Sequence, residues 1–119
     1  MEDPAKSVYW LGSSKKDLLK MPDEVIDVFG FALHLAQVGK KHEQTKVLKG
    51  FAGAGVLEVV EDHDGDTYRA VYTVKFGQHV YVLHCFQKKS KQGIETPKQD
   101  IDLIRERLKA AKAHAGAKP

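Results

Sequence analysis

The sequence predicts an α+β fold in which an antiparallel sheet packs with an N-terminal helical hairpin and a C-terminal helix. Three observations support this prediction: an apolar stripe of helical period in residues 22–39, three strand-like segments in residues 56–86, and a helix start at Thr96-Pro97. The turns between the three strand-like segments are too short for crossover helices, so these segments form an antiparallel meander.

The N-terminal region predicts one strand and two helices. Residues 7–11 are β-branched and aromatic, which favours a short strand. A short helix follows over residues 14–20 and is interrupted at Pro22, which itself opens a second helix that ends at Gly39. The apolar stripe of this second helix consists of Val25, Phe29, Leu33 and Ala36. The two helices therefore form a hairpin laid on the sheet.

The central region predicts a polar, glycine-punctuated connection over residues 40–54, followed by the meander. Its strands cover residues 56–60, 67–76 and 80–86, with turn signals at Asp64-Gly65 and Gly77-Gln78. The last helix starts at Thr96-Pro97 as a threonine cap followed by proline. Its apolar stripe consists of Ile101, Ile104, Leu108 and Ala111.

Length and composition predict one domain over residues 1–119, with frayed ends at about 1–5 and 114–119. The hydrophobic fraction of 42% argues against disorder, and no apolar run is long enough to span a bilayer. The acidic N-terminus does not resemble a secretory signal, and a single cysteine, Cys85, excludes an internal disulfide. We therefore expect a cytoplasmic protein. No metal-ligand spacing or cofactor motif occurs, so neither a metal nor a cofactor is predicted.

The net charge of +3 is unevenly distributed along the chain. Residues 1–83 carry 10 Lys or Arg and 12 Asp or Glu, a net charge of −2, whereas residues 84–119 carry 9 and 4, a net charge of +5. A basic C-terminal third indicates a polyanionic partner, and the alternative is a solvated lysine-rich helix with a basic tail.

Side-chain alternation in the middle strand places Arg69 on a mixed, partly open face and Tyr68, Ala70 and Tyr72 on the core face. Pairing about Gly77-Gln78 puts Arg69 opposite a position near Phe86, with Lys88 and Lys89 within side-chain reach. Such a cationic cluster binds phosphate through charge-assisted hydrogen bonds. The alternatives are a salt-bridged Arg69, a solvated lysine pair at the strand end, and, for His84, a hydrogen-bonded core histidine.

Several segments together resemble the RelE/HigB superfamily of type II toxins, specifically its phage-derived HigB-like branch. The resemblance extends over roughly residues 6–112. The matching segments are Lys46-Val47-Leu48-Lys49-Gly50-Phe51, Gly55-Val56-Leu57-Glu58-Val59, Tyr68-Arg69-Ala70-Val71-Tyr72, Val82-Leu83-His84-Cys85-Phe86-Gln87-Lys88-Lys89-Ser90, and Thr96-Pro97. Their joint order and spacing indicate a RelE-like small domain.

The resemblance implies a ribosome-dependent mRNA endonuclease that inhibits translation from the ribosomal A site. In such enzymes the 2′-hydroxyl of the message attacks the adjacent phosphate. Arg69 matches the strand arginine of the family and would stabilise phosphate charge, while Lys88 and Lys89 would hold the phosphate or protonate the leaving oxygen. His84 is a further acid–base candidate. The residues expected to bind RNA or the ribosome are Lys46, Lys49 and Lys91.

The sequence departs from RelE at one position of this pattern. RelE carries lysines in the strand that here contains Glu58, and three interpretations are open for this carboxylate: a general base, an ion-pair partner of Arg69, or a sign of weak activity. The resemblance also implies a cognate antitoxin, commonly a helix-turn-helix protein. The alternative function is therefore a catalytically inactive RelE-fold binding module that acts with such a partner in transcriptional regulation.

Overall fold

A computed structural model describes residues 5–51, 53–88 and 96–116. Lys89 and Lys91 lie outside the described residues. The elements are β1 (Ser7–Trp10), α1 (Ser14–Leu19), α2 (Asp23–Gln37), β2 (Thr45–Val47), β3 (Val56–His63), β4 (Asp66–Thr73), β5 (His79–Lys88) and α3 (Lys98–Gly116). None of the helices in the described ranges has the length and apolarity needed to cross a membrane.

The five strands form one mixed sheet in the order β1-β5-β4-β3-β2. The meander of β3, β4 and β5 is antiparallel, as the short turns predict. Two features differ from the sequence prediction. β1 pairs with β5 in parallel, and β2, which lies inside the predicted connection 40–54, extends the sheet by pairing with β3. The first pairing joins segments that are distant in the chain, and β2 has only three residues, so local patterns do not reveal either pairing.

The sheet is covered on both faces, so the fold has two apolar cores. On one face, the meander packs against α1 and α2 through Tyr68, Ala70 and Tyr72, as the alternation predicts. On the other, Val71 lies in a second core with apolar residues of α3 and of the segment after β2. The prediction of a partly open face around Arg69 is wrong: only 4% of the surface of Arg69 is exposed.

The C-terminal half of β5 pairs with the N-terminal half of β4 in the predicted register. Arg69 lies opposite Phe86 and Thr67 opposite Lys88, which puts Lys88 on the same sheet face as Arg69. An irregularity between Val71 and Tyr72 shifts the register by one residue. Because of this shift, both Leu83 and His84 contribute to the face that α3 covers.

The helix α3 continues through Gly116, two residues beyond His114, from which the sequence predicts fraying. The hydroxyl of Tyr81 and Nδ1 of His114 lie 2.9 Å apart, and the imidazole ring lies 4.1 Å from the ring of Tyr9. These contacts join the last turn of α3 to β1 and β5.

The turn between β1 and α1 depends on Gly12. This residue has φ +53°, and a Cβ atom built on it would lie 2.8 Å from Nε and Nη2 of Arg107. We expect Gly12→Ala to lower the free energy of unfolding by more than Gly39→Ala, which replaces a glycine at φ +83° with no atom within 4 Å of the new Cβ.

Backbone strain alone costs about 1–2 kcal/mol at Gly39, and at Gly12 the loss of a hydrogen bond when the Arg107 guanidinium shifts adds about 1 kcal/mol. Urea unfolding of both variants measures this difference. Equal losses in the two variants would contradict the close approach of Arg107.

Candidate functional site

The candidate site lies on the sheet face that α3 covers. The strand register aligns Lys46 with Glu58, Glu58 with Val71, and Val71 with His84 in one row across four strands. Arg69 belongs to the next row, between Val60 of β3 and Phe86 of β5. The sheet thus brings together three sequence-predicted residues, Lys46, Glu58 and Arg69, from three strands.

Glu58 is the centre of this group. Nη1 of Arg69 donates a hydrogen bond to Oε1 of Glu58 over 2.9 Å, and Nζ of Lys46 lies 3.6 Å from the same oxygen. The side chains of Glu58 and Arg69 are 3% and 5% exposed, whereas that of Lys46 is 54% exposed. Within the described residues Oε2 of Glu58 is buried without a hydrogen-bond partner. Of the three interpretations of Glu58, the ion pair with Arg69 is present in the structure.

Lys88 lies at the end of β5 and is 93% buried, with 7% of its surface exposed. It pairs with Thr67, two residues before Arg69 in β4, so both cations share the α3-facing side of the sheet. The alternative of a solvated strand end is therefore wrong for Lys88. Lys89, its predicted companion, lies outside the described residues, as does Lys91.

A cavity of about 480 Å³ opens beside Glu58, between β2 and the beginning of α3. It is lined by Lys46, Val47, Leu48, Lys49, Glu58, Thr96 and Ile101. The lining combines two cations, a carboxylate, a hydroxyl and three aliphatic residues. Two residues of this wall, Thr96 and Ile101, were expected from the sequence only as a helix cap and a core position. Their role in the cavity depends on how α3 docks on the sheet.

His84 lies beside this group but makes its contacts with α3. Its Nε2 lies 2.8 Å from Oδ1 of Asp100, and its ring stacks on Phe86 at 4.5 Å. Nη1 of Arg107 lies 3.5 Å from Nδ1 of His84 and donates a hydrogen bond to the carbonyl oxygen of Leu83 over 3.0 Å. These contacts match a hydrogen-bonded core histidine and attach α3 to β5.

Asp100 and Arg107 were not predicted from the sequence. Both lie outside the apolar stripe of α3, and Asp100 also resembles an ordinary acidic residue of a first helical turn. Nη2 of Arg107 donates a second hydrogen bond to the Ser13 hydroxyl over 3.1 Å, which ties α3 to the turn before α1. The only sequence signal for Asp100 and Arg107 is their separation of seven residues, about two helical turns, which places both on one face of α3.

The ionisation of His84 makes stability dependent on pH. Burial lowers the pKa of His84 from its ordinary value of 6.5, Asp100 opposes this change, and Arg107 reinforces it. Above pH 6.5 the imidazole is neutral in both states. Below it the unfolded chain binds the proton more readily, so this contribution to stability is lost as the pH falls toward the lower pKa of the folded state.

We expect the urea midpoint of the wild type to fall between pH 7.5 and pH 5.5 by more than that of His84→Gln. Glutamine keeps a hydrogen-bonding group but does not titrate in this range. A parallel pH dependence in both proteins would contradict the contribution of His84.

Cys85 points away from His84, into the core under α1 and α2. Burial raises the pKa of its thiol to about 12, so the thiol is protonated at neutral pH and is not a nucleophile. In the described parts of the chain, no group of three or more His, Cys, Asp or Glu side chains is arranged to hold a metal ion.

The fold and this site define a class of protein. A five-strand mixed sheet with short N-terminal helices and a C-terminal helix is compatible with a RelE-like small domain. The sequence profile of the phage-derived Gp49-like protein family (DUF891) matches residues 16–109, well over half of the chain. The chain belongs to this family, which is a family of type II toxins of the RelE/HigB-like kind associated with toxin–antitoxin systems. No curated protein matches the chain.

Proposed function

We propose that this protein is the toxin of a type II toxin–antitoxin system, of the HigB-like branch, and cleaves mRNA on the ribosome. The observation that carries the proposal is the grouping of Arg69, Lys46 and Lys88 with the Glu58 carboxylate on one sheet face beside a cavity. Phosphoryl transfer needs cations fixed where negative charge develops, and a buried ion pair fixes Arg69 in this way.

In the proposed reaction the 2′-hydroxyl of one nucleotide attacks its own 3′-phosphate. The 2′-oxygen forms a bond to phosphorus, and the bond from phosphorus to the 5′-oxygen of the next nucleotide breaks, which leaves a 2′,3′-cyclic phosphate and a 5′-hydroxyl. Oε2 of Glu58, which has no hydrogen-bond partner among the described residues, takes the proton of the attacking hydroxyl. Lys88 or Lys89 supplies the proton to the leaving 5′-oxygen.

Arg69 stabilises the additional negative charge on the phosphate oxygens in the transition state. Lys46 and Lys49 are exposed, and we assign them, with Lys91, to the phosphate backbone of the message or of ribosomal RNA. The contacts of His84 with Asp100 and Arg107 suit a positioning role in this scheme, because they fasten α3 above the site.

The toxin family suggests an antitoxin partner. We propose a helix-turn-helix antitoxin that neutralises the toxin and represses its own operon, and a cytoplasmic location in which ribosomes are accessible. A second candidate function has one observation in its favour: Arg69 is buried and paired with a carboxylate, as expected of a structural ion pair in a catalytically inactive binding module. That module would act with the antitoxin in transcriptional regulation.

Induced expression in a bacterial host, with mapping of mRNA 5′ ends, distinguishes the two functions. The endonuclease predicts growth arrest and new 5′ ends within translated codons for the wild type, and loss of both for Arg69→Ala and Lys89→Ala. Growth arrest without such ends would refute the reaction. Equal toxicity of both variants and the wild type would refute the site assignment.

Antitoxin binding serves as the control in this experiment. Each variant is co-expressed with the protein encoded beside it, and retained complex formation shows that the variant is folded. The binding module predicts that wild type and Arg69→Ala form the same complex and that neither changes the mRNA ends.

A further inference from the structure

The outer side of β2 is an open edge of the sheet within the described residues, because β2 is the last strand in the order β1-β5-β4-β3-β2. The backbone N–H of Leu48 donates to the carbonyl oxygen of Val56 over 3.0 Å, so this pair is a hydrogen-bonded pair of the ladder. Such pairs alternate along antiparallel strands. Thr45 and Val47 therefore direct their backbone N–H and C=O groups away from β3.

The beginning of β2 is held by His42. Its carbonyl oxygen accepts a hydrogen bond from the N–H of Thr45 over 3.0 Å, and its Nδ1 accepts one from the N–H of Gln44 over 3.1 Å. The outward N–H of Val47 and the outward carbonyl groups of Thr45 and Val47 have no backbone partner in the described part of the chain. An additional strand beside β2 would supply one donor–acceptor set for these groups.

Exposed apolar side chains accompany this edge. Val47 is 67% exposed, and Phe31 of α2 is 55% exposed with its ring edge-on to that of His42 at 5.7 Å. Val38, directly after α2, is exposed as well. Of the four large hydrophobic side chains that are exposed on the described chain, three thus lie in residues 31–47. The edge offers apolar contacts in addition to main-chain hydrogen bonds.

The charge around β2 selects the kind of partner. Residues 38–50 carry a net charge of +3 from one glutamate and four exposed lysines: Lys40, Lys41, Lys46 and Lys49. Two copies of this edge would bring lysines close to lysines, which disfavours a second copy of the chain. RNA matches the charge, but it does not continue a β-ladder. An extended acidic protein segment matches the backbone groups, the apolar side chains and the charge together.

We propose that the outer edge of β2 binds an extended, acidic segment of a partner protein as an additional strand of the sheet. The assignment of this partner as the antitoxin rests on the proposed function. Lys46 and Lys49 flank this edge and also line the cavity beside Glu58. The bound segment therefore screens the two lysines that we assign to RNA, and the antitoxin neutralises the toxin by competing with RNA at β2.

Residue-resolved hydrogen exchange of the full chain, free and in complex with the protein encoded beside it, tests the additional strand. The N–H of Val47 points away from β3, so we expect it to exchange at least about tenfold more slowly in the complex than in the free chain. The N–H of Lys46 points toward β3 and is protected in both states, which makes it the internal control. An unprotected Val47 in the complex, or no complex at all, would overturn the proposal.

Val47→Pro removes the outward N–H without removing a hydrogen bond to β3. We expect the affinity for the same partner protein, measured by isothermal titration, to fall at least about tenfold, because a ladder hydrogen bond and the valine contact are lost. Val47→Thr keeps the N–H and the β-branched shape and should lose less. Unchanged affinity in Val47→Pro would overturn the proposal. If Val47→Pro fails to fold, the exchange of the wild-type Val47 amide decides the question.

Charge reversals test the acidic character of the segment. Lys41→Glu should weaken the complex, whereas Lys15→Glu, an exposed reversal on α1, should leave its affinity unchanged. Equal effects of the two reversals would refute an acidic segment at β2. Weaker binding of an RNA oligonucleotide to Val47→Pro with an unchanged protein complex would assign the edge to RNA. A dimer of the toxin alone that Val47→Pro dissociates would assign it to a second copy, and either result overturns the proposal.

Failure of this docking surface and failure of the endonuclease give different results. A protected Val47 in the complex together with unchanged mRNA ends would support the docking surface and refute the endonuclease. Cleavage of mRNA by the wild type, with a complex that leaves Val47 unprotected, would retain the endonuclease and refute the docking surface.

Discussion

Glu58→Leu will lower the free energy of unfolding by about 3–5 kcal/mol, because it removes the buried carboxylate that accepts a hydrogen bond from Arg69 over 2.9 Å. Arg69→Met should cost less, since Lys46 still lies 3.6 Å from the carboxylate that remains. The double variant should cost less than the sum of the two single changes, because neither charge is then left buried. Urea unfolding at neutral pH measures all three.

Lys46→Met is the matched control for this series. Lys46 contacts the same carboxylate oxygen, but its side chain is 54% exposed, so its ion pair is worth at most about 1 kcal/mol. Additive losses in the double variant, or a loss in Lys46→Met as large as that in Glu58→Leu, would contradict a buried pair of Glu58 and Arg69. The series also identifies the variants that are folded well enough for activity measurements.

The meander and its register were predictable because they depend on local signals. The turn at Gly77-Gln78 and the alternation of the flanking strands together place Arg69 opposite Phe86, and the structure has this pair. The long helix α2 was predictable for a similar reason: its apolar stripe recurs at helical spacing, and Val25, Phe29 and Leu33 all lie in the core.

The burial of the site was not predictable, because it depends on segments far away in the chain. Alternation assigns Arg69 to the correct face of β4 but does not reveal what covers that face. The face of β4 that contains Arg69 is covered by α3 and by Leu48, Phe51 and Ala54. These three residues lie in the segment 40–54, which the sequence predicts to be a polar connection. Strand β2 has only three residues, too few for a recognisable alternation, and exists through its pairing with β3.

Individual candidate residues were therefore easier to name from the sequence than their arrangement was to predict. Lys46, Glu58 and Arg69 each stand out in the sequence, but their convergence on one carboxylate oxygen requires β2 beside β3. This convergence gives Glu58 two roles in the proposed mechanism: one oxygen orients the cations, and the other, which is buried without a hydrogen-bond partner among the described residues, takes the proton of the attacking hydroxyl. Stability and activity consequently depend on the same carboxylate, and they must be measured separately in each variant.

Arg69→Lys separates these two contributions because it keeps the positive charge and removes the planar guanidinium. A lysine can pair with Glu58, but it cannot donate to the carboxylate and to a phosphate in the fixed geometry of an arginine. We expect the single-turnover rate of mRNA cleavage on saturating programmed ribosomes to fall about 10²–10³-fold, as on loss of one donor to a transition-state oxyanion.

Lys46→Gln should behave differently. The exposed Lys46 is assigned to the phosphate backbone of RNA, and such a contact contributes to binding and not to the chemical step. The cleavage rate of this variant on saturating ribosomes should remain close to that of the wild type. Its affinity for the ribosome should decrease, and the slope of the logarithm of that affinity against the logarithm of salt concentration should become shallower by about one unit. A wild-type rate for Arg69→Lys at saturation would show that the guanidinium does not contact the reacting phosphate. The ion pair with Glu58 would then be purely structural.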